Sequence, residues 1–312
     1  MANLGYIQIT RECNQLCRFC SNPPSGESAT AERIRSQVDD LLARGCDGLI
    51  LTGGEPTLFE ELPELISYAT RRGAPCRIIT NGQRLAEGDL VDRLVDAGLR
   101  HLHVSLYSHR SDVQDMLTRN PGSWDRIQRT LTRLGAHPAG LTVDLNVVIN
   151  HYNADHLHRV ARFVIRQLPF VRHLVFNNLD PSMNRTAEFP DTIPTLWELE
   201  VSLLRALRAL EAAGVTFRVE RIPLCYMVEY AHVSTETRKI VKDEPRLIHF
   251  LDEKRLVCQH ERAAWERGKA PQCGGCRLDA ICAGLDSMDV HYSSKELYPV
   301  FVDPAVILRK IS

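Results

Sequence analysis

Three cysteines near the N-terminus have the spacing of a metal-binding loop. They are Cys13, Cys17 and Cys20, a Cys-x3-Cys-x2-Cys pattern that directly follows an apolar run. Thiolates are soft ligands that suit iron–sulfur clusters and zinc. A closed structural zinc site takes four protein ligands, whereas three cysteines on a 4Fe-4S cluster leave one iron open. The first triplet therefore predicts a cluster with one iron available for chemistry.

A second triplet lies near the C-terminus and consists of Cys273, Cys276 and Cys282. By itself its Cys-x2-Cys-x5-Cys spacing is typical of a structural zinc knot that stabilises a small domain. Cys46 and Cys76 have no partner at a ligand spacing, and we interpret them as packing residues. Ten cysteines in 312 residues are too few for a disulfide scaffold.

Short apolar strands alternate with helical patterns over the first two thirds of the chain. This alternation predicts parallel pairing and an α/β fold, in which the sheet either lies open between helices or curls toward a barrel. In both cases the reactive loops lie at the carboxyl ends of the strands. On the fourth strand we expect only one of His101 and His103 to face the interior. The predicted strands are residues 4–10, 47–52, 76–80, 101–108, 142–150 and 173–178.

The pattern changes near residue 215. Beyond it come a strand-like segment at 215–220, a charged stretch and the late cysteines, with no clear strand–helix period. We therefore predict two domains, residues 1–214 and a smaller one at residues 215–312.

The composition excludes several classes of protein. With 44% hydrophobic and 25% charged residues, the chain suits a full enzyme core. Its net charge of −1 leaves no positive surplus for a phosphate backbone, so we expect no nucleic-acid partner. We find neither a signal sequence nor an apolar run of about 18 residues, and therefore expect a cytoplasmic protein that does not associate with membranes.

Polar motifs follow the predicted strands in order. Gly53-Gly54-Glu55-Pro56 follows the second strand, Thr80-Asn81-Gly82 follows the third, Ser105 lies on the fourth and Asn146 on the fifth. The glycines permit close approach of another backbone. Four further residues lie near strand ends, where we expect a substrate pocket, namely Tyr107, Asn177, Asn178 and Asp180.

Together the first cysteine triplet and these motifs resemble the radical S-adenosylmethionine (radical SAM) enzymes over residues 4–211. The family signature is the same triplet, commonly with an aromatic residue before the last cysteine, here Phe19, and a GGEP segment. The resemblance implies a partial (β/α)6 TIM-like barrel and a 4Fe-4S cluster on Cys13, Cys17 and Cys20. It also implies residues that bind S-adenosylmethionine, namely Phe19, Gly53, Gly54, Glu55, Pro56, Asn81, Ser105 and Asn146.

The late triplet is similar to the SPASM and twitch segments of such enzymes, in which a further 4Fe-4S cluster is held by the triplet and an upstream cysteine. We expect Cys225 to be this fourth ligand, with Cys258 as the rival. A full SPASM segment has another cysteine four positions after Cys282, where this chain has Asp286. The resemblance therefore implies one auxiliary cluster.

The activity implied is reductive cleavage of S-adenosylmethionine to a 5′-deoxyadenosyl radical that abstracts hydrogen from a substrate. A one-electron donor such as flavodoxin or ferredoxin would be a partner. Oxidation, epimerisation, rearrangement and bond formation all stay open as outcomes. The first strand begins at Leu4 and leaves no room for a leader-binding domain, so we expect a small-molecule substrate in natural-product biosynthesis, with a peptide substrate as the alternative. The alternative from another class is a zinc-stapled interaction protein.

Overall fold

Within the described residues, eight parallel strands form a sheet that one antiparallel strand extends. Across the sheet of the computed structural model the order is β7-β6-β5-β4-β3-β2-β1-β8-β9. The structure describes residues 3–182, 185–244, 246–252, 257–259 and 267–311. The strands are β1 (Leu4–Thr10), β2 (Gly48–Gly53), β3 (Cys76–Thr80), β4 (His101–Ser105), β5 (Thr142–Ile149), β6 (His173–Asn178), β7 (Thr216–Glu220), β8 (Arg246–His249) and β9 (Val257–Gln259).

Helices alternate with the strands and bury their apolar faces in one hydrophobic core with the sheet. Thr30 caps α1 by accepting a hydrogen bond from the backbone N–H of Arg33. Thr195 and Glu198 form a capping box at the start of α8. The helices are α1 (Ala31–Ala43), α2 (Leu62–Arg71), α3 (Leu90–Asp96), α4 (Ser111–Thr118), α5 (Ser123–Ala136), α6 (Leu157–Gln167), α7 (Arg185–Glu188), α8 (Leu196–Ala212), α9 (Thr235–Lys242) and α10 (Pro304–Ile311).

The predicted α/β class with parallel pairing is confirmed, and the six predicted strands are β1 to β6. β4 ends at Ser105, earlier than predicted, because the side chain of Gln114 takes over the next backbone donors. Its Oε1 accepts the N–H of Tyr107 at 2.9 Å and that of Ser108 at 3.2 Å. These groups leave the ladder, and the chain turns into α4.

Two parallel strands beyond residue 214 extend the sheet at its two edges. β7 pairs with β6, and β8 pairs with β1, at Gly5 to Ile7. The chain between them crosses from one edge of the sheet to the other. The division into residues 1–214 and 215–312 stays a prediction.

Side chains on one face of the strands point into the barrel. His101 and His103 both do so, because residues two apart on a strand share a face. Their rings stack with centroids 4.8 Å apart, and both approach Asp144. The prediction that only one of them faces the interior was wrong.

None of the helices in the described ranges combines the length and the hydropathy that a bilayer crossing requires.

Candidate active site at the carboxyl ends of the strands

One cavity, which we call the cofactor cavity, lies at the carboxyl ends of β1 to β6. All three early cysteines line it, and six of the eight predicted cofactor residues do so as well. These six are Phe19, Gly53, Gly54, Asn81, Ser105 and Asn146. Tyr107 and Asn177 also line it. The side chains of Glu55 and Pro56 are buried outside this lining.

Several lining residues were not predicted. Thr52, Ile79 and Val148 each lie two positions from a predicted residue on the same strand or its extension, and this period of two is a signal that could have found them. No sequence pattern pointed to Gln15 or Asn22, which enter the cavity through the fold of the cysteine loop.

The cysteine loop is held in place by backbone hydrogen bonds to α4. The N–H of Leu16 donates to the carbonyl of Thr118 at 3.1 Å, and the N–H of Arg18 donates to the carbonyl of Leu117 at 2.9 Å. α4 therefore fixes the segment between Cys13 and Cys20.

The other side of the cysteine loop packs directly on Gly53 and Gly54, at the end of β2. The N–H of Gly54 donates to the carbonyl of Thr10 at 2.6 Å, and that of Glu55 donates to the carbonyl of Glu12 at 2.7 Å. A Cβ on Gly53 would lie 2.1 Å from the Thr10 oxygen, and one on Gly54 would lie 2.2 Å from the Glu12 oxygen. Only glycine allows the two loops to approach this closely.

Glu55 joins the loop after β2 to the loop after β3. Its side chain is fully buried, and Oε1 accepts hydrogen bonds from the N–H and hydroxyl of Thr57, at 3.0 and 2.6 Å, and from the Thr80 hydroxyl at 2.6 Å. Oε2 accepts the N–H of Asn81 at 2.6 Å. Burial raises the pKa of Glu55, while these donors lower it. The carboxylate is thus occupied by the chain itself.

Asn81 connects the loop after β3 to the cysteine loop. Its Nδ2 donates to Asn14 Oδ1 at 2.7 Å and lies 3.7 Å from Cys13 Sγ. Its Oδ1 accepts the N–H of Gln83 at 3.0 Å, which fixes the orientation of the amide. Asn81 therefore directs its NH2 group, the part of the amide that donates hydrogen bonds, toward Cys13.

The three early thiols are buried close to one another, so their thiolate forms would repel each other unless a positively charged metal cluster were bound. Burial, together with the charges of Glu55 and Cys20, raises the pKa of Cys13 to about 11. Burial likewise raises the pKa of Cys17, with a contribution from both other thiols. Thiolates in such a site require a positive partner.

The sulfurs of neither cysteine triplet are as close together as three ligands of a single metal ion. Two thiolates on one zinc ion, each about 2.3 Å from it, lie at most about 4.6 Å apart. Among the His, Cys, Asp and Glu side chains that the structure describes, the group whose ligand atoms come within 4.8 Å of one another consists of His101, His103 and Asp144. Neither cysteine triplet belongs to it.

Aromatic rings form one wall of the cofactor cavity. Phe19 and Tyr107 meet edge to face with centroids 4.8 Å apart, and both are buried. They pack with Cys17, Val113 and Leu117 in a small apolar cluster. This packing keeps water from one side of the thiols.

The late cysteines are half-buried against the main core, together with Cys225. Burial raises the pKa of Cys225 to about 12, and the neighbouring charges of Cys282 and Cys273 add to the rise. Backbone donors already face two of the sulfurs: the N–H of Val300 lies 3.3 Å from Cys276 Sγ, and that of Gly284 lies 3.4 Å from Cys282 Sγ. The side chain of Cys258, the rival ligand, lies outside the described residues.

Other predicted positions have structural partners. Asp286, at the position of the missing SPASM cysteine, pairs with Arg267 at 2.8 Å. Asn178 donates to the hydroxyl of Tyr292 at 2.9 Å. Asp180 pairs with Arg221 at 2.7 Å.

Comparison with known proteins gives one family match. The profile of the radical SAM superfamily matches residues 7–164, which is half of the chain. The chain is 31% identical over 149 residues to Fe-coproporphyrin III synthase of Methanosarcina barkeri, covering 46% of this chain and 36% of that protein. It is 32% identical over 162 residues to PqqA peptide cyclase of Xanthomonas axonopodis pv. citri, covering 48% and 40%. The chain thus matches about two fifths of the length of these relatives.

Two solved structures are similar to this chain in fold but have low sequence identity to it. SuiB of Streptococcus suis bound to precursor peptide SuiA has a TM-score of 0.66 at 14% identity, covering 91% of this chain and 72% of that one. The anSMEcpe structure with bound AdoMet has a TM-score of 0.65 at 14% identity, covering 90% and 89%. Both likenesses concern the fold.

Proposed function

Because this chain belongs to the radical SAM superfamily, we propose that Cys13, Cys17 and Cys20 hold a 4Fe-4S cluster and that the cofactor cavity binds S-adenosylmethionine. When bound, the cluster would supply one electron to S-adenosylmethionine, which would split into methionine and a 5′-deoxyadenosyl radical able to take hydrogen from the substrate. The observation that carries this proposal is that the three thiols, the glycine loop and polar residues from β4 and β5 line one cavity.

The surrounding residues prepare this site. Gly53 and Gly54 let the loop after β2 lie against the cysteine loop. Glu55 is a positioning residue that fixes Asn81, and Asn81 orients its donor toward Cys13. Phe19 and Tyr107 exclude water from the wall of the cavity, which protects reactive intermediates from side reactions.

Ser105 and Asn146 supply polar contacts for the cofactor. They lie opposite each other on the paired strands β4 and β5. Both side chains face the cofactor cavity from the carboxyl half of their strands, and each can donate and accept hydrogen bonds. We assign to them the ribose and carboxylate of S-adenosylmethionine.

We further propose that Cys225, Cys273, Cys276 and Cys282 hold one auxiliary 4Fe-4S cluster. The backbone donors to Cys276 and Cys282 would stabilise the thiolate forms. A cluster with four protein ligands has no open iron, so its role would be electron transfer or shaping of the pocket. A flavodoxin or ferredoxin would deliver the electrons.

For the substrate we propose an intermediate of natural-product biosynthesis, with a peptide as the first class to test. Relatives named PqqA peptide cyclase and the SuiB structure with its precursor peptide support a peptide. The relative named Fe-coproporphyrin III synthase supports a smaller biosynthetic intermediate.

Anaerobic purification and turnover test the proposal. We expect a brown protein with about eight irons per chain that forms 5′-deoxyadenosine from S-adenosylmethionine under reductant. Cys13→Ala should lose about four irons and all 5′-deoxyadenosine, whereas the control Cys46→Ala, at a buried packing residue, should keep both. Stoichiometric zinc without 5′-deoxyadenosine would reject the proposal in favour of an interaction protein.

The fourth auxiliary ligand is tested by two parallel variants. Cys225→Ala should reduce the iron content and change the electron paramagnetic resonance signal of the auxiliary cluster, while Cys258→Ala should leave both unchanged. The reverse pattern would assign the ligand to Cys258.

A further inference from the structure

A second cavity, which we call the lower chamber, lies inside the partial barrel toward the amino ends of the strands. Its volume is about 220 Å³. Arg77 and His103 line it, each two positions before Ile79 and Ser105 of the cofactor cavity. Two residues along a strand cover about 6.6 Å. The lower chamber is therefore one layer of side chains below the cofactor cavity, and none of the residues named for either cavity lines both.

The segment between β7 and β8 forms one wall of the lower chamber. α9 contributes Thr235, Arg238 and Lys239. Arg246 Nη2 on β8 lies 3.6 Å from Glu220 Oε1 on β7, so the two parallel edges of the sheet meet across this space. The chamber is thus bounded by both edges of the sheet and is not a groove on its outer face.

Positive side chains outnumber negative ones in the lower chamber. Among the described residues that line it, five are Lys or Arg and two, Glu220 and Glu244, are carboxylates. Both carboxylates have cationic partners, Glu220 in Arg246 and Glu244 in Lys239 at 3.3 Å. Arg77, Arg218 and Arg238 also line the chamber, and Arg218 and Arg238 have interactions of their own. Since the whole chain carries a charge of −1, the folded barrel creates this local excess.

Two groups at the lower chamber have hydrogen-bonding capacity that no described residue uses. The Arg77 guanidinium forms neither a hydrogen bond nor an ion pair within the described part of the chain. His103 Nε2 is buried without a hydrogen-bond partner there, while Nδ1 lies 3.6 Å from Asp144 Oδ2. Burial and the neighbouring charge of Arg238 lower the pKa of Arg218 to about 10, against the opposite effect of Glu244 and Glu220. An anion in this space would pair with the donors and offset the repulsion.

We propose that the lower chamber is a binding site for an oxyanion, a phosphate or carboxylate group held by Arg77 and Arg218. The planar guanidinium matches both groups and forms charge-assisted hydrogen bonds with them. The oxyanion is a free ion, which the chamber can hold whether or not the cofactor cavity is occupied. The site does not depend on the cleavage of S-adenosylmethionine, so it stands apart from the proposed function.

A metal ion at the same place is the competing interpretation, because His101, His103 and Asp144 have ligand atoms within 4.8 Å of one another. Asp144 Oδ2 already accepts a hydrogen bond from His101 Nε2 at 2.7 Å. Burial lowers the pKa of His103 to about 4, and the charge of Arg77 contributes to this shift. A divalent cation would add to an existing positive excess, whereas an oxyanion would reduce it.

Calorimetric titration of the holoenzyme at low ionic strength, with inorganic phosphate and separately with succinate, tests the proposal. We expect one site for at least one of the two ions, and the ion that binds more tightly identifies the class of oxyanion. Arg77→Gln and Arg218→Gln should each weaken binding at least tenfold, because each removes charge-assisted hydrogen bonds. The control Arg71→Gln, at the exposed end of α2, should bind like the wild type.

Thermal unfolding gives a second readout, the shift in the unfolding midpoint that phosphate causes. Each variant is compared with itself without phosphate, so a change in its basal stability does not affect this shift. Because the Arg77 guanidinium has no partner among the described residues, Arg77→Gln should have the same unfolding midpoint as the wild type without phosphate. Phosphate should raise the midpoint of the wild type and leave that of Arg77→Gln unchanged. No binding of either ion at about 10 mM, or equal affinity in Arg77→Gln, would overturn the proposal. Stabilisation by Zn²⁺ that Asp144→Asn removes would replace it with the metal site.

Discussion

Replacing Glu55 tests whether this carboxylate organises the active site or contacts the cofactor. In Glu55→Gln, the amide oxygen takes the position of Oε1, which accepts three hydrogen bonds, and the NH2 group then faces the N–H of Asn81. One buried backbone donor loses its acceptor, which costs about 1–3 kcal/mol. In Glu55→Ala the backbone donors of Thr57 and Asn81 both lose theirs, so we expect a loss of roughly 2–6 kcal/mol. The two hydroxyls can rotate toward other acceptors.

The assay is thermal and denaturant unfolding of the anaerobic protein, combined with equilibrium binding of S-adenosylmethionine. We expect stability to fall in the order wild type, Glu55→Gln, Glu55→Ala, and binding of the cofactor to weaken along with it. Glu60→Gln, at an exposed position, is the control and should change neither. If Glu55→Ala unfolds like the wild type yet no longer binds S-adenosylmethionine, the carboxylate contacts the cofactor directly and the positioning role is refuted.

Two further predictions follow from the cysteine loop and from His103. In Gly54→Ala the new Cβ would lie 2.2 Å from the Glu12 oxygen, so the cysteine loop must move by about 1 Å. Iron analysis should then show a loss of about four irons. The control Gly274→Ala, where a Cβ meets open space, should retain them. Full iron retention in Gly54→Ala would contradict this. Burial lowers the pKa of His103 from 6.5 to about 4. As the pH decreases through this window, the unfolded chain takes up a proton before the folded chain does, so the free energy of unfolding decreases. Between pH 6.5 and pH 5 this effect should lower the free energy of unfolding by roughly 1.5 kcal/mol. His103→Gln should remove this pH dependence, whereas the control His151→Gln, at an exposed position, should keep it. Equal slopes of unfolding free energy against pH in the wild type and His103→Gln would refute the prediction.

Local patterns in the sequence were sufficient to place β1 to β6. Strands such as Leu4–Thr10 and Cys76–Thr80 have the predicted bounds, because apolar runs there end at polar turns. β8 (Arg246–His249) was not predicted, because four residues within a charged stretch have too few alternations for a period of two to stand out. Its burial comes from pairing with β1, more than 230 positions earlier in the chain.

The sequence by itself determined the chemistry that this protein offers: the cysteine spacing, the glycine pair and the order of polar residues at strand ends are local and are retained in any fold. Only the tertiary structure decided how these groups are used. It occupied the Glu55 carboxylate with donors from two loops, placed α4 behind the cysteine loop, and gathered Arg77 and Arg218 in one chamber. Hydrogen-bond partners and electrostatic neighbours depend on distances between residues far apart in the chain, and those distances are set by the closure of the sheet.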